Sequence, residues 1–406
     1  MSTFAPMKIF TPTFWRLCAS TVLFMASFGM IMPELPGYLE KMGASHLLGY
    51  IIGLFTLGAF VSRFFSGRIA DRAGRKVVIV FGTSVTAIAG FVYVIVGQIP
   101  EGALAIWFFL VLRFLHGLST GFRPTGTTAF LTDIMPKERR GEALGYLGVA
   151  GNAGMAGGPA LGSVLAVEFS YDAMFIASSV LGIVALLITL KLPESLPKPR
   201  KVTKEDLNIF KGGIIEKSVW PAAVYLFPVS LAFGVFLTIT PDFVEDLGYK
   251  YKGVFNTIIV AASITMRFIA GKASDKYGRE PLLVIGGFLL LIGMGMMSIA
   301  TTKLTAAIGG AIYGLSIGVN MPTIFAWTAD LAKEGKVAIG LSTMLMSLEI
   351  GIGVGAFVSG DIFSSNNEML SSLYLACSMF AGVSAIILWW FSPSWNELKK
   401  SPNDIG

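Results

Sequence analysis

The sequence predicts an all-α membrane protein, with twelve transmembrane helices in two six-helix bundles and both termini in the cytoplasm. Three observations carry that class. Only 14% of the 406 residues are charged and 54% are hydrophobic, whereas a soluble globular chain carries about 25% charged residues. Apolar runs of the length that spans a bilayer, about 20 residues, recur twelve times and use about 240 residues. They fall six and six around one long polar segment.

The first run, 13–33, continues into Met32-Pro33-Glu34-Leu35-Pro36 with no small-residue cleavage site, so it reads as a retained helix and not as a signal peptide. Further runs at 47–67, 77–98, 103–133, 142–166 and 172–191 complete a first bundle, residues 1–191. The stretch 192–217 holds Pro193, Pro197 and Pro199 and, counting Lys191, seven Lys or Arg. It reads as a cytoplasmic linker. Runs at 218–241, 253–272, 281–301, 304–331, 337–360 and 370–391 form the second bundle, 218–391, and 392–406 is a cytoplasmic tail.

Charge placement sets the topology. With the N-terminus inside, 23 of the 31 Lys and Arg fall on the cytoplasmic side. Four (Lys41, Lys250, Lys252, Lys303) fall outside and four (Arg63, Arg113, Arg123, Arg267) inside helices. This positive-inside bias accounts for the net charge of +6 without a nucleic-acid partner. Cys18 and Cys377 lie in apolar runs far apart, which suggests neither a disulfide nor a zinc site. His46 and His116 are the only histidines, so no metal cluster and no catalytic triad can be assembled from them. No cofactor and no enzymatic activity are expected.

The halves repeat. Residues Pro36 to Gly43 match Pro241 to Gly248 at an offset of 205, Arg63 to Arg75 match Arg267 to Arg279 at 204, and Gly117, Gly121 and Asp133 match Gly314, Gly318 and Asp330 at 197. Two six-helix halves of the same orientation are parallel repeats, related by an axis along the membrane normal.

Three local patterns then coincide. Gly67-Arg-Ile-Ala-Asp71-Arg72-Ala-Gly74-Arg75 joins the second and third runs, with a weaker copy containing Asp275 and Arg279. Gly74 suits a tight turn, Asp71 can accept hydrogen bonds beside a helix N-terminus, and Arg75 can pair with a carboxylate such as Asp133. The fourth run carries Arg113-Phe-Leu-His116-Gly117. The fifth carries Gly145, Gly154, Gly158-Pro159 and Gly162, and at 100° per residue Gly151, Gly154, Gly158 and Gly162 share an arc of about 80°, a strip on which another helix can pack closely. Pro159 should bend that helix.

Together these residues resemble the major facilitator superfamily, and within it the twelve-helix drug:proton antiporter branch. The fourth-helix signature departs at His116, where Gln is usual, and the fifth at Ser163, where a second Gly is usual. The resemblance implies a secondary active transporter of the bacterial inner membrane that exports a small molecule by proton antiport through alternating access. It implies that Gly67, Asp71, Arg72, Gly74, Arg75, Asp133, Asp275 and Arg279 form a cytoplasmic gate; the alternative is that they only orient hairpins during insertion. It further implies that the fifth-helix glycines meet the eighth helix, in the other half. The second half lacks that signature, Glu349 falling near the place of Gly154.

Ionisable groups inside the membrane cost about 3 kcal/mol or more at its centre, so each is a functional hypothesis. By resemblance Arg113 faces the central cavity and binds substrate; the alternative is a structural pairing with backbone carbonyls. His116 and Arg123 lie seven residues apart, hence on one face, with Thr127 close in angle. A cavity lined by Arg113, His116, Arg123 and Thr127 would favour an anionic or amphipathic substrate, whereas a packed face would leave His116 a satisfied core residue. Glu349, the only acid deep in a predicted helix, leads for proton coupling, against a buried partner for Arg267. Glu34 follows it, although its simpler reading is an exposed rim carboxylate. Phe24, Met25, Phe28 and Met32 form a flexible apolar wall suited to varied ligands, although such a stripe is more often plain packing or lipid contact. A proton-coupled or facilitated organic-anion transporter, importing or exporting, is the alternative in the same class, and a non-transporting membrane sensor the alternative outside it. The expected partners are a small-molecule substrate, protons and the lipid bilayer, with the chain a monomer.

Overall fold

The computed structural model describes residues 11–100, 102–136, 139–203, 215–333, 337–365 and 369–391. Residues 204–214 of the expected linker and the expected tail 392–406 lie outside them. Thirteen α-helices make up the described regular structure apart from 3₁₀ turns, with no strand. The first span is α1 (Pro12–Ile31), a 3₁₀ turn (Met32–Glu34) and α2 (Leu35–Lys41). The other five spans of the first half are α3 (Leu48–Ala73), α4 (Arg75–Gly97), α5 (Ala103–Ile134), α6 (Arg140–Glu168) and α7 (Tyr171–Leu190). The second half holds α8 (Trp220–Asp246), α9 (Lys252–Tyr277), α10 (Arg279–Ser298), α11 (Lys303–Leu331), α12 (Val337–Ser365) and α13 (Leu370–Phe391).

Eleven of these segments are long and apolar enough to cross a membrane. The remaining long helix is α6, whose glycines and Asn152 hold its hydropathy down.

The first span is longer than the apolar run suggested, extending over Pro12–Lys41. Pro33 and Pro36 each stand in the first turn of a new helical segment, where the missing N–H costs nothing. The chain therefore bends there and continues. The helix α3 likewise runs past its apolar stretch through Asp71 and Arg72 and stops only before Gly74, whose φ of 123° is one that L side chains rarely adopt. Gly278, with φ 92°, ends α9 in the same way.

The chain divides into two compact units, Met1–Gly43 with Leu54–Gly212, and Ala44–Gly53 with Gly213–Gly406. Inside the first, α1 packs on α6 and α7, and α4 on α5 and α7; inside the second, α8 packs on α12 and α13, and α10 on α11 and α13. The sequence offsets recur as contacts. Gly117 lies against the Phe55 carbonyl and Gly121 against that of Ala59, while Gly314 lies against the Ile259 carbonyl and Gly318 against that of Ser263. Each is one pair of positions displaced by 204 on one helix and by 197 on the other.

Within the first unit the α6 glycines lie against α1. A Cβ on Gly154 would meet the Val22 carbonyl, on Gly158 the Ala26 carbonyl, and on Gly162 the Met30 carbonyl. All three lie on α1, in the same unit, and both series advance by four residues, one ridge of each helix. Gly151 makes only ordinary contacts with Thr21 and Met25, and a Cβ on Gly145 would meet nothing among the described residues. The second half also retains part of the pattern. Gly351 meets the Phe227 carbonyl and Gly355 the Leu231 carbonyl, so α12 packs on α8 through glycines as α6 does on α1. At the offset of 197, Glu349 corresponds to Asn152, two residues before the position of Gly154.

Candidate functional site

The first half holds two buried cationic centres on α5, ten residues and so about 15 Å apart along the axis. Arg113, fully buried, donates from Nη1 to Tyr93 Oη at 3.2 Å and from Nη2 towards Met32 Sδ at 3.8 Å. Its guanidinium lies 4.7 Å from the Phe55 ring centre, a cation–π arrangement that tolerates desolvation better than a bare charge. Tyr93 Oη also stands 3.5 Å from His116 Nδ1. His116 sits edge-on to Phe28 and Phe55, and its Nε2 is buried with no hydrogen-bond partner among the described residues. Tyr93 is held by stacking on Phe175, ring centres 5.0 Å apart.

Arg123 is 1% exposed. It donates from Nε to Thr83 Oγ1 at 2.8 Å and from Nη2 to Ser20 Oγ at 3.0 Å, and stands 4.2 Å over the Phe24 ring. All of these partners are neutral. Its neighbour one turn on, Thr127, lines with it a cavity of about 280 Å³ between α1, α5 and α6. Thr21 and Met25 contribute from α1, and Leu147, Gly151, Asn152 and Met155 from α6. Space exists there because Gly148 and Gly151 carry no side chain and Pro124 interrupts the α5 hydrogen-bond ladder.

The four residues expected to form one substrate face are thus divided. Arg113 and His116 join through Tyr93, and Arg123 and Thr127 belong to the cavity. The apolar stripe of the first helix supplies both centres: Phe24 lies under Arg123, Met25 lines the cavity, Phe28 flanks His116 and Met32 faces Arg113.

Glu34 is 3% exposed, which corrects the reading of a rim carboxylate. The turn imposed by Pro33 and Pro36 carries it inward, and its Oε1 accepts a short hydrogen bond from Ser163 Oγ. Ser163 is the position where α6 departs from the family signature, so the departure supplies a hydrogen-bond donor to a buried acid. Glu349 on α12 is buried as well, at 7% exposure.

At the α3–α4 hairpin Arg75 donates from Nε to Asp133 Oδ2 at 3.1 Å and from Nη1 to Asp71. In the second half Arg279 repeats the clamp, from Nε to Asp330 Oδ2 at 2.9 Å and from Nη1 to Asp275. The sequence reading missed Glu194. Its carboxylate accepts from the backbone N–H of Arg75, Lys76, Ser195 and Leu196 at 2.9 to 3.1 Å, which caps the N-terminus of α4. A side chain at Gly74 would collide with that carboxylate. Ser195 Oγ donates to Asp133 Oδ2 at 2.9 Å and the Arg200 N–H to the Arg72 carbonyl at 2.7 Å, so the start of the linker is tied to the hairpin. A cue for Glu194 was available: an acid within a proline-rich basic stretch is out of keeping with a plain positive-inside segment. Gly67 meets nothing among the described residues.

The family model of the Major Facilitator Superfamily matches residues 17–356 and again 253–405. The quinolone resistance protein NorA of Staphylococcus aureus (strain MSSA476) is 23% identical over 385 residues, which is 90% of this chain and 93% of that protein. The multidrug resistance protein MdtG of Salmonella schwarzengrund (strain CVM19633) is 26% identical over 393 residues, 92% of each. Among solved structures, the human organic anion transporter MFSD10 (TETRAN) superposes with a TM-score of 0.71 at 15% identity, covering 93% of this chain and 100% of that one.

Proposed function

The chain belongs to the major facilitator superfamily, and from that premise we propose that this membrane transporter exports a small molecule in exchange for protons. Its two six-helix halves, 1–191 and 218–391, would expose a site alternately to each side of the bacterial inner membrane, joined by the linker 192–217, with one chain sufficient.

The observation that carries the proton step is Glu34. It is a carboxyl at the bend between α1 and α2, buried and bound by Ser163 of α6. A carboxyl there is withdrawn from bulk water and held by hydrogen bonding within the helix bundle. Protonation changes what Oε1 offers to Ser163, and α1 and α6 touch through the glycine contacts just described. A proton on Glu34 therefore acts on the α1–α6 seam, which also walls the cavity. Glu349 is the second acid in the reading, and Arg113 with Tyr93 and His116 a polar centre close to the same bend. Export is supported by the names of the relatives, a quinolone resistance protein and a multidrug resistance protein.

The test uses everted vesicles loaded through an imposed pH gradient, with uptake of a fluorescent drug as readout. Uptake should collapse when a protonophore dissipates the gradient. Glu34→Gln should still bind the drug while losing the dependence on the gradient. Gradient-driven uptake that survives in Glu34→Gln and is lost in Glu349→Gln would move the proton site to Glu349; survival in both removes antiport through either acid.

A further inference from the structure

The cavity beside Arg123 is built for more than a generic ligand. We propose that it binds the carboxylate of a small amphipathic organic anion through Arg123 and Thr127, with Asn152 alongside and the apolar part resting on Met25, Leu147 and Met155. The proposal rests on the reading of this chain as a small-molecule transporter and holds for either direction of transport.

Three observations converge. Arg123 is buried, and its hydrogen bonds go only to Ser20 and Thr83, two of the five N–H donors that a guanidinium carries. No carboxylate pairs with it among the described residues, and a cation inside a membrane is costly without an anionic partner. Second, Thr127 is 4% exposed and its Oγ1 has no hydrogen-bond partner among the described residues; Asn152 Nδ2 is buried and equally unpartnered. Both residues line the cavity. Buried polar atoms are normally satisfied, and here unsatisfied groups on two helices share a space with the lone cation. Arg123 and Thr127, four residues apart on α5, are neighbours on its surface.

The internal repeat supplies the third observation, because it shows what this position requires for packing alone. At the offsets of 205, 204 and 197, Ser20, Gly82 and Arg123 correspond to Tyr225, Gly286 and Asn320. Gly82 lies against Arg123 and Gly286 against Asn320. In the second half the node is neutral and closed. Tyr225 Oη donates to Asn320 Oδ1 at 2.9 Å, and Asn320 Nδ2 donates to Ser316 Oγ at 3.0 Å. An amide thus fills the same niche with its oxygen and its nitrogen each hydrogen-bonded. The first half replaces the tyrosine by Ser20 and the amide by a cation, and opens a cavity beside it. The charge exceeds what the helix contact needs, and the Thr127 hydroxyl and Asn152 amide beside it have no acceptor among the described residues. Guanidinium and hydroxyl donors together select a carboxylate, and the thioether and leucine walls, adaptable in shape, suit an apolar body.

The test is binding to the full chain in lipid nanodiscs, with 2-naphthoate, its methyl ester and 2-naphthylmethylammonium as probes of one shape and three charges. Naphthoate should bind about tenfold tighter than the ester, and the ammonium weakest. Arg123→Gln, which keeps hydrogen-bonding capacity for Ser20 and Thr83, should remove the preference, naphthoate then binding no tighter than the ester. Thr127→Val should weaken naphthoate about three- to tenfold. Equal affinity for naphthoate and ester, preference for the ammonium, no binding of any probe, or a monodisperse Arg123→Gln that keeps the preference each overturns the proposal. Should Arg123→Gln fail to fold, unchanged naphthoate affinity in both Thr127→Val and Asn152→Leu overturns it. Drug uptake in everted vesicles is read in parallel: anion binding without gradient-driven uptake sinks only the antiport reading, and uptake without anion binding sinks only this one.

Discussion

Alanine in place of individual α6 glycines should give effects of opposite sign within one helix. A Cβ on Gly158 would lie 2.8 Å from Ala26 Cα, and one on Gly162 would lie 2.7 Å from the Met30 carbonyl carbon. Carbon atoms are at their optimum about 3.5 to 4.0 Å apart, so α1 and α6 must separate by roughly 1 Å to admit the methyl group. The obstacle is helix backbone, which has no rotamer to change. Overpacking of this kind costs about 1–3 kcal/mol, and at about 2–4 °C per kcal/mol for a unit of this size the melting temperature should fall by roughly 2–12 °C. Gly145→Ala meets no atom and gains helix propensity of up to about 1 kcal/mol, so its melting temperature should hold or rise slightly. The assay is thermal unfolding of the detergent-purified chain followed by size-exclusion chromatography. Gly158→Ala and Gly162→Ala melting with the parent, or Gly145→Ala falling as far as they do, would refute the α1–α6 contact as the reason for these glycines.

Two further outcomes follow from single hydrogen-bonding groups. Glu194→Ala removes the acceptor of two backbone N–H groups at the start of α4 and two in the linker; it should cost about 1–2 kcal/mol and speed tryptic cleavage after Arg200, and unchanged melting and cleavage would show that the linker is not held by this cap. Tyr93→Phe keeps the ring stacked on Phe175 but leaves a donor of buried Arg113 without its hydroxyl acceptor, a loss of about 1–3 kcal/mol that a parent-like melting curve would contradict.

Much of the fold was legible because its determinants are local or additive. Hydropathy marks the spans, and the offset matches mark the duplication, which returns as paired contacts at Gly117 and Gly314. The Asp71, Arg75 and Asp133 cluster could be assembled from one short loop and one helix end, and the clamp recurs at Asp275, Arg279 and Asp330. Helix ends were less legible where proline restarts a helix, as at Pro33 and Pro36, or where a polar tail continues one, as in α3.

What faces what was decided by the tertiary structure. Periodicity places His116, Arg123 and Thr127 on neighbouring faces of α5, but it cannot tell that Tyr93 lies opposite the first and Thr83 with Ser20 opposite the second. It finds the glycine strip of α6 and not its partner α1, because a strip without side chains fits any ridge of matching spacing. Glu34 reads as a rim acid until the bend turns it onto Ser163, and Arg123 as one more intramembrane cation until its partners prove neutral. By itself the sequence determined spans, repeat and charge, which depend on residues near one another in the chain. Burial, pairing and the cavity depend on which helices approach across about 20 to 130 positions of sequence, and only their packing could settle those.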